Sequence, residues 1–387
     1  MSRSQPAGRA FGVYVHFPWC RARCPYCDFA IAVAPVADIP HRRYADAVLE
    51  ELAVRSERFA AGELVSIYFG GGTPALWDPA QLGRVRAAVA AAFPRVRGAD
   101  LEVTVEANPL DCTRERLAAL RAAGANRLSV GTQAFSDGDL VALGRDHDAR
   151  AAEAAIGAAR DAGFANVSLD LIYAVPGRRD FGRSLDRAVA LGPEHMSVYQ
   201  LTIEPGTPFG QAARKGTLVP VPDEDSASQF EEAEARLGAA GYEHYEVSAY
   251  ARPGRRAVHN ALYWAGAPYL GLGNGAHSLW TDGDGGVRWS AHRSVGRYLA
   301  GTPDRDLARD GRIADHSPQD PSSLAADRLW LGMRTSDGVP RADVPDAALP
   351  PLLAAGLVTV DPDRVRPTPR GLLFADEIGA RLLALVQ

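Results

Sequence analysis

The chain has 387 residues, of which 47% are hydrophobic and 23% charged, and its net charge is -5 at neutral pH. That length allows two or three domains, and the hydrophobic fraction can bury a substantial core. The acidic balance argues against a general nucleic-acid binder, and no apolar run reaches the roughly 18 residues of a membrane span. The first twelve residues are polar and lack the apolar stretch of a secretory signal, so we expect a cytoplasmic protein.

Three of the four cysteines lie close together in the run HFPWCRARCPYCDFA, where Cys20, Cys24 and Cys27 form C-x3-C-x2-C. Thiolates are the ligands of iron–sulfur clusters, and three of them leave one iron of a four-iron cluster free to bind a substrate. A zinc site would require a fourth Cys or His at a paired spacing, and a disulfide fits neither the odd number nor a reducing compartment. The spacing therefore favours a cluster, and we expect Cys112 to be an ordinary buried thiol.

Short β-rich runs alternate with helical patterns over the first two thirds of the chain. The predicted strands are Phe11–Phe17, Val65–Phe69, Leu101–Val105, Arg127–Val130, Val167–Leu171 and Met196–Ile203. The predicted helices between them are Arg43–Ala60, Pro79–Phe93, Thr113–Ala123, Ala149–Ala162 and Phe181–Leu191. This alternation predicts an α/β fold with a parallel sheet, and six such units favour a partial (β/α)6 barrel over a doubly wound sheet.

Polar residues follow the ends of several predicted strands. They are Gly71, Gly72 and Thr73 after the second strand, Glu106 after the third, Gln133 after the fourth, and Asp170 within the fifth. In α/β barrels the carboxyl ends of the strands carry the chemistry. We therefore expect these side chains to converge at one end of the sheet, together with the cysteine loop that follows the first strand.

The pattern changes after residue 206, and we expect three parts: 1–210 as the barrel core, 211–322 completing it, and 323–387 as a small module. The stretch 281–322 is rich in Gly, Asp, Arg and Pro and is predicted to be irregular. The last part predicts helix, helix, hairpin and helix, as in a winged-helix-like module. Because that part is not strongly basic, we expect no binding to nucleic acid.

Nine motifs occur in a characteristic order: YVHFPWCRARCPYCDF, YFGGGTPALW, VEANP, RLSVGTQAF, LGRDH, LDLIYAVPG, YQLTIEPGT, HNALYW and GLGNGAHS. In this order they resemble the oxygen-independent coproporphyrinogen III oxidase-like branch of the radical S-adenosylmethionine (SAM) superfamily. Within it, the chain resembles the HemW-type heme chaperones more than the coproporphyrinogen dehydrogenase. The dehydrogenase has a further cysteine where this chain has Phe29, and a longer segment before its cluster.

The resemblance implies a partial radical SAM barrel that holds a [4Fe-4S] cluster on Cys20, Cys24 and Cys27, and S-adenosyl-L-methionine beside it. The residues that it assigns to SAM are Tyr14, Tyr26, Gly71, Gly72, Thr73, Glu106, Gln133, Arg145 and Asp170. Glycines allow the backbone to approach a ligand closely, although a tight turn before Pro74 would also account for them. Arg145 is the least expected of the set, because LGRDH lies in a helix–loop segment and not at a strand end.

The resemblance also implies a heme site in HNALYW, formed by His259, Tyr263 and Trp264. A neutral imidazole can ligate heme iron and the aromatic rings can pack on the macrocycle. A buried hydrogen-bonded corner would explain the same motif, while His277 and His16 are rival ligands that we expect to be structural. The expected function is binding of heme and its transfer to acceptor hemoproteins; whether these are membrane-bound stays open. The alternative is an enzyme that decarboxylates coproporphyrinogen III oxidatively to protoporphyrinogen IX, so catalytic activity stays open, as does the choice between monomer and dimer.

Overall fold

The computed structural model describes residues 10–96, 98–177, 180–282 and 285–386. Most of the polar N-terminal stretch lies outside the described residues, so the expected absence of a secretory signal stays a prediction. None of the described helices is both long enough and apolar enough to cross a membrane.

The described strands are β1 Ala10–Phe17, β2 Trp19–Cys20, β3 Ala32–Val33, β4 Glu63–Gly71, β5 Glu102–Ala107, β6 Arg127–Gln133, β7 Val167–Tyr173, β8 His195–Gln200, β9 Glu243–Glu246, β10 Ala249–Ala251, β11 Tyr269–Leu272, β12 His277–Thr281, β13 Gly286–Ala291, β14 Ile313–Gln319, β15 Val339–Pro340, β16 Val358–Val360 and β17 Arg364–Pro367.

The described α-helices are α1 His41–Arg55, α2 Pro79–Ala92, α3 Arg114–Ala122, α4 Asp137–Ala142, α5 Ala149–Asp161, α6 Phe181–Leu191, α7 Pro208–Arg214, α8 Asp223–Ala239, α9 Val258–Trp264, α10 Val295–Ala300, α11 Pro321–Gly332, α12 Leu349–Ala354, α13 Pro369–Leu373 and α14 Ala375–Val386.

One large sheet organises most of the chain, with the strand order β14-β13-β12-β11-β1-β4-β5-β6-β7-β8-β10-β9. The six predicted strands are β1 and β4 to β8, and they pair in parallel as expected. A seventh parallel strand, β11, was not predicted; it pairs with β1 on the side away from β4. The described sheet has two ends and does not close, as in the predicted partial barrel.

The parallel strands bury one face in apolar packing and carry polar side chains on the other. On β1, Val13, Val15 and Phe17 are buried in the main hydrophobic core, where Phe17 packs against Tyr44 of α1 and against Trp77. The alternate positions of these strands carry polar or small residues, because successive side chains point to opposite faces. We call this second face the polar face; it carries Gly12 and Tyr14 of β1, Ser66 and Tyr68 of β4, Glu102 and Glu106 of β5, and Asp170 of β7.

Local sequence signals explain where the helices begin. Asp78, directly before α2, accepts hydrogen bonds from the N–H groups of Ala80 and Gln81, and Pro79 occupies the first turn. Thr113 and Asp148 cap α3 and α5 in the same way. The predicted helices of the first two thirds are confirmed, with ends that shift by a few residues.

The prediction of an irregular stretch at 281–322 is wrong. The chain there forms β13, α10 and β14, and the two strands extend the large sheet through antiparallel pairs. Because β14 lies at the edge of the sheet and is mostly exposed, its residues IADHSPQ show no apolar alternation. An exposed edge strand lacks the hydrophobic periodicity on which the prediction relied.

The last part of the chain has a hydrophobic core of its own, which includes Leu329, Met333, Val365 and Ile378. The predicted hairpin around Asp361 is confirmed as β16 and β17, and β15 adds a third strand to it. The helices α11 and α14 pack beside this small sheet. The division of the chain at residues 210 and 322 stays a prediction.

Candidate functional site

The cysteine loop follows β1 at the carboxyl end of the parallel strands. Cys20 ends β2, while Cys24 and Cys27 lie in the turn before β3, where the N–H of Cys27 donates to the carbonyl of Cys24 at 3.1 Å. All three thiols are free and partly exposed, whereas Cys112 is free and buried as expected. The loop therefore gathers three accessible thiols at one end of the polar face.

Polar groups from two other segments reach two of these sulfur atoms. The hydroxyl of Thr73 donates to the Cys20 sulfur at 3.5 Å, and Nη1 of Arg145 donates to the Cys24 sulfur at 3.2 Å. Burial raises the pKa of Cys20 to about 11 and also raises the pKa of Cys27. Without a metal these two thiols hold their protons at neutral pH, and metal binding would release them. Donors aimed at the sulfurs suit thiolate ligands, so the residues fit an iron–sulfur cluster.

A single zinc ion fits the loop less well. Within the described ranges, no three side chains of the types His, Cys, Asp or Glu converge closely enough to hold one metal ion. Zinc would need such convergence, with Zn–S distances of about 2.3 Å. A four-iron cluster binds each thiolate through a different iron, so it does not require the three sulfur atoms to meet at one point.

The glycine motif that ends β4 is packed against the cysteine loop. The N–H of Gly72 donates to the carbonyl of Phe17 at 2.8 Å, and the N–H of Thr73 to that of Trp19 at 2.9 Å. Gly71 has φ +112°, and a Cβ there would lie 2.4 Å from the His16 ring. A Cβ on Gly72 would lie 2.7 Å from the backbone of Pro18. Both positions therefore require glycine, because the backbone of β4 passes close to the loop.

Two carboxyl groups on the polar face stand near this motif. Glu106 accepts hydrogen bonds from the Tyr68 hydroxyl at 2.7 Å and from the N–H of Gly71 at 3.0 Å. Asp170 accepts from the hydroxyl of Ser129 at 3.3 Å. Burial raises the pKa of Glu106 to about 7 and that of Asp170 to about 6. Acceptors placed in this way can receive the hydroxyl groups of a bound ribose.

Three other residues predicted to contact SAM border the same space. Tyr14 hydrogen-bonds Nδ1 of His16 at 3.0 Å, and Tyr26 packs against Phe209. Gln133 ends β6 with φ +65°, a left-handed conformation that is uncommon for a residue other than glycine and that recurs at functional sites. We call this end of the polar face the mouth, defined by Cys20, Cys24, Cys27, Gly71, Gly72, Thr73, Glu106, Gln133, Arg145 and Asp170.

Three residues that interact with the mouth or with the cysteine loop were not predicted from the sequence. Tyr68 binds Glu106, and Asn274 donates to the carbonyl of Ala30 in the cysteine loop at 3.3 Å. The charge of Arg127, which is 2% exposed, opposes the rise in the pKa of both Glu106 and Asp170. The period-two alternation along β4 and β6 could have placed Tyr68 and Arg127 on the polar face.

The HNALYW motif lies at the opposite end of the polar face, on α9. His259 is 1% exposed; its Nδ1 hydrogen-bonds the Ser66 hydroxyl at 2.9 Å and its Nε2 the Tyr263 hydroxyl at 2.9 Å. The N–H groups of Val258 and His259 both donate to Glu102 at 3.0 Å. We call the group Ser66, Glu102, His259 and Tyr263 the floor. Heme ligation by His259 would require one of its two ring hydrogen bonds to break, and Trp264, next to Tyr263, is partly exposed.

The two rival histidines differ from each other. His16 is buried, and its Nε2 donates to the carbonyl of Ala30 at 3.0 Å, so it supports the cysteine loop. Burial lowers the pKa of His16 to about 4 and that of His259 to about 3, so both rings are neutral. His277, at the start of β12, has an exposed side chain. Partial burial and the charges of Arg293 and Arg288 lower its pKa as well.

Comparison with known proteins agrees with this geometry. Residues 14–183 match the Radical SAM superfamily. The structure of coproporphyrinogen III oxidase (HemN) from Escherichia coli, a radical SAM enzyme, superposes with a TM-score of 0.77 over 97% of this chain and 90% of that one, at 23% identity. The fold and the C-x3-C-x2-C loop at the mouth therefore define a radical SAM protein.

Relatives with similar sequences show to which family of radical SAM proteins the chain belongs. The heme chaperone HemW of Mycobacterium tuberculosis is 36% identical over 382 residues, which cover 97% of this chain and 95% of that protein. HemW of Escherichia coli K12 is 39% identical over 71% of each chain. The mitochondrial radical S-adenosyl methionine domain-containing protein 1 of Bos taurus is 35% identical over 86% of this chain and 75% of its own. The chain belongs to the HemW family. Membership in the radical SAM superfamily implies a four-iron cluster and SAM.

Proposed function

We propose that the protein binds heme and transfers it to acceptor hemoproteins, and that it carries a [4Fe-4S] cluster and SAM at the mouth. The observation that carries the proposal is the 36% identity to the heme chaperone HemW of Mycobacterium tuberculosis along 95% of that protein. The four free thiols suit a reducing compartment, so we propose a cytoplasmic location.

Cys20, Cys24 and Cys27 would hold the cluster. The glycine motif, Glu106 and Asp170 would hold SAM, and their buried surroundings would exclude water from it. When bound, a reduced cluster with SAM supplies one-electron cleavage of a carbon–sulfur bond. The Thr73 hydroxyl and the Arg145 guanidinium would keep donating to sulfur, and Tyr68 would hold Glu106 in place.

Phe29 supports the carrier role over the enzymatic one. It occupies the position where the dehydrogenase has its additional cysteine, and its side chain is 69% exposed. A phenyl ring cannot ligate iron or exchange protons. An exposed aromatic residue beside the cysteine loop instead offers an apolar surface to a macrocycle or to a partner protein.

His277 is the histidine that suits a heme ligand best among the three considered. Its side chain is exposed, and its lowered pKa keeps the imidazole neutral, as iron ligation requires. Arg288 and Arg293 lie close enough to lower the pKa of His277, and guanidinium groups bind carboxylates such as the heme propionates. Arg288 is paired with Asp327 and Arg293 with Asp28, so a propionate would have to displace these carboxylates. His259 lacks this access, because its ring is enclosed in the floor.

Titration with hemin, followed by the Soret absorption, tests the proposal. We expect binding at micromolar affinity or better and transfer of the heme to an apo-hemoprotein. We expect His277→Ala to weaken binding at least tenfold and to shift the Soret maximum, whereas the control His316→Ala, another exposed histidine, leaves both unchanged. No binding at micromolar hemin would refute the carrier role. Equal behaviour of the two variants would refute only the ligand assignment.

The second candidate, oxidative decarboxylation of coproporphyrinogen III, is favoured by the residues predicted to contact SAM that lie together at the mouth. It is tested with the reconstituted protein, SAM, a strong reductant and coproporphyrinogen III under anaerobic conditions, with a genuine dehydrogenase as positive control. Formation of protoporphyrinogen IX would establish the enzyme. We expect none, even from protein that holds four irons and bound SAM.

A further inference from the structure

Arg145 lies at the mouth with its guanidinium held at two points. Nη1 donates to the Cys24 sulfur at 3.2 Å and Nη2 to the carbonyl of Gly131 at 3.0 Å. Its Nε is buried and has no hydrogen-bond partner in the described part of the chain. The two contacts fix the plane of the guanidinium, so its charge stays beside one of the three cysteine sulfurs.

The turn that carries Arg145 is packed directly on the cysteine loop. Gly144 has φ +63°, and a Cβ on it would lie 2.5 Å from Cδ of Pro25. Leu143 packs in a small apolar cluster that Tyr26 joins from the side of the loop. Because only a glycine fits between the turn and Pro25, the backbone places Arg145 against Cys24 without relying on a flexible side chain alone.

The three cysteines are not equivalent in their surroundings. Cys20 receives the neutral hydroxyl of Thr73 at 3.5 Å, and Cys27 interacts with the backbone N–H of Phe29. The Cys24 sulfur instead accepts a hydrogen bond from the guanidinium of Arg145, which carries a full positive charge. Hydrogen bonds to the sulfur atoms and nearby charge are among the factors that set the potential of an iron–sulfur cluster.

We propose that Arg145 raises the reduction potential of the cluster through its contact with Cys24. This inference rests on the proposed cluster at Cys20, Cys24 and Cys27. Reduction transfers one electron from an external one-electron donor, which is oxidised, to the cluster, which gains one negative charge. A guanidinium beside a ligating sulfur stabilises the reduced cluster more than the oxidised one.

The family resemblance assigns Arg145 to the binding of SAM instead, and the two roles give different results when SAM is absent. A residue that only binds SAM leaves the potential of the cluster alone unchanged. A residue that acts on Cys24 changes that potential before any SAM is added. The measurement is therefore made on the SAM-free protein.

The test is a potentiometric titration of the reconstituted protein without SAM, with dithionite as reductant and the electron paramagnetic resonance signal of the reduced cluster as readout. The variants are Arg145→Gln and the apolar Arg145→Met, and the control is Arg150→Gln. Arg150 lies near Arg145 on the wall of the same surface hollow, and its variant is expected to keep the wild-type potential. We expect the cluster to be harder to reduce in both Arg145 variants. Its equilibrium constant for reduction should fall at least tenfold, which lowers the reduction potential by about 59 mV for one electron.

The iron content separates this inference from the proposed function. A wild-type protein that cannot be loaded with four irons refutes the cluster proposal itself. Variants with four irons and the wild-type potential refute the role of Arg145, and so does a loss of SAM affinity with no shift in potential. If neither variant can be loaded, Arg145 is needed for assembly of the cluster, and the inference in this form is wrong.

Discussion

The mouth and the floor occupy opposite ends of the same polar face, and they differ in how completely their polar groups are satisfied. At the floor, both ring nitrogens of His259 and both oxygens of Glu102 have partners within the protein. At the mouth, the three thiols form no disulfide, and burial raises the pKa of Glu106 and Asp170 although Glu106 accepts two hydrogen bonds. Within the described residues, the buried Nε of Arg145 has no hydrogen-bond partner. Groups that are fully paired stabilise the fold, whereas groups held without complete pairing are available to a ligand.

The largest effect is expected from the thiols of the mouth. Cys20→Ser, Cys24→Ser and Cys27→Ser should each abolish the iron–sulfur absorption of the reconstituted protein, because serine offers no soft thiolate ligand. Absorption spectra and iron analysis after anaerobic reconstitution check this. Cys112→Ser is the matched control, since the Cys112 thiol is buried and donates to the carbonyl of Asn108, and it should keep the full chromophore. A full brown chromophore in any of the three loop variants would refute the ligand assignment.

A substitution in the floor should lower the free energy of unfolding. His259→Ala removes a buried ring and leaves the Ser66 and Tyr263 hydroxyls without their partner, which we expect to cost about 4 kcal/mol in the free energy of unfolding. The exposed His277→Ala should change it by less than about 0.5 kcal/mol. Urea unfolding followed by circular dichroism measures both. Similar values for the two variants would mean that the floor is not the structural element described above.

The smallest expected effect is on the pH dependence of the free energy of unfolding, to which Glu106 at the mouth contributes. The pKa of Glu106 is raised from 4.5 to about 7, so the folded protein binds a proton that the unfolded chain has released. Stability from this group is therefore present at pH 4.5 and is lost as the pH rises through 7. Glu106→Gln should stabilise the ligand-free protein at pH 8 by about 1 kcal/mol, because the removal of a buried charge is partly offset by the loss of one of the two hydrogen bonds that Glu106 accepts.

Thermal unfolding of wild type and Glu106→Gln at several pH values between 4.5 and 8 measures this difference. A smaller slope of the same sign should persist in the variant, because the pKa of Asp170 is raised to about 6. The exposed Glu115→Gln is the control and should leave the slope unchanged. A variant that is destabilised more strongly at pH 8 than at pH 4.5 would contradict the prediction.

Much of the fold followed from patterns that act over short distances. The six parallel strands were visible because buried strands need apolar residues on one face, and the C-terminal hairpin because Asp361-Pro362-Asp363 interrupts two short apolar runs. The strand β14 was missed because its residues are exposed. The strand β11 was missed because it has only four residues, Tyr269–Leu272, one of them glycine, so its apolar pattern is too short to recognise.

For this protein, the sequence by itself determined the three thiols, the glycines beside them and the alternation that places polar residues at strand ends. These depend on residue type and local spacing. Only the tertiary structure decided that Arg145 contacts Cys24 and that His259 is enclosed by Ser66 and Tyr263. Both contacts join segments that are distant in sequence and meet only when the sheet is assembled. The hydrogen-bond partners of a side chain in the folded protein determine whether it is available to bind a ligand.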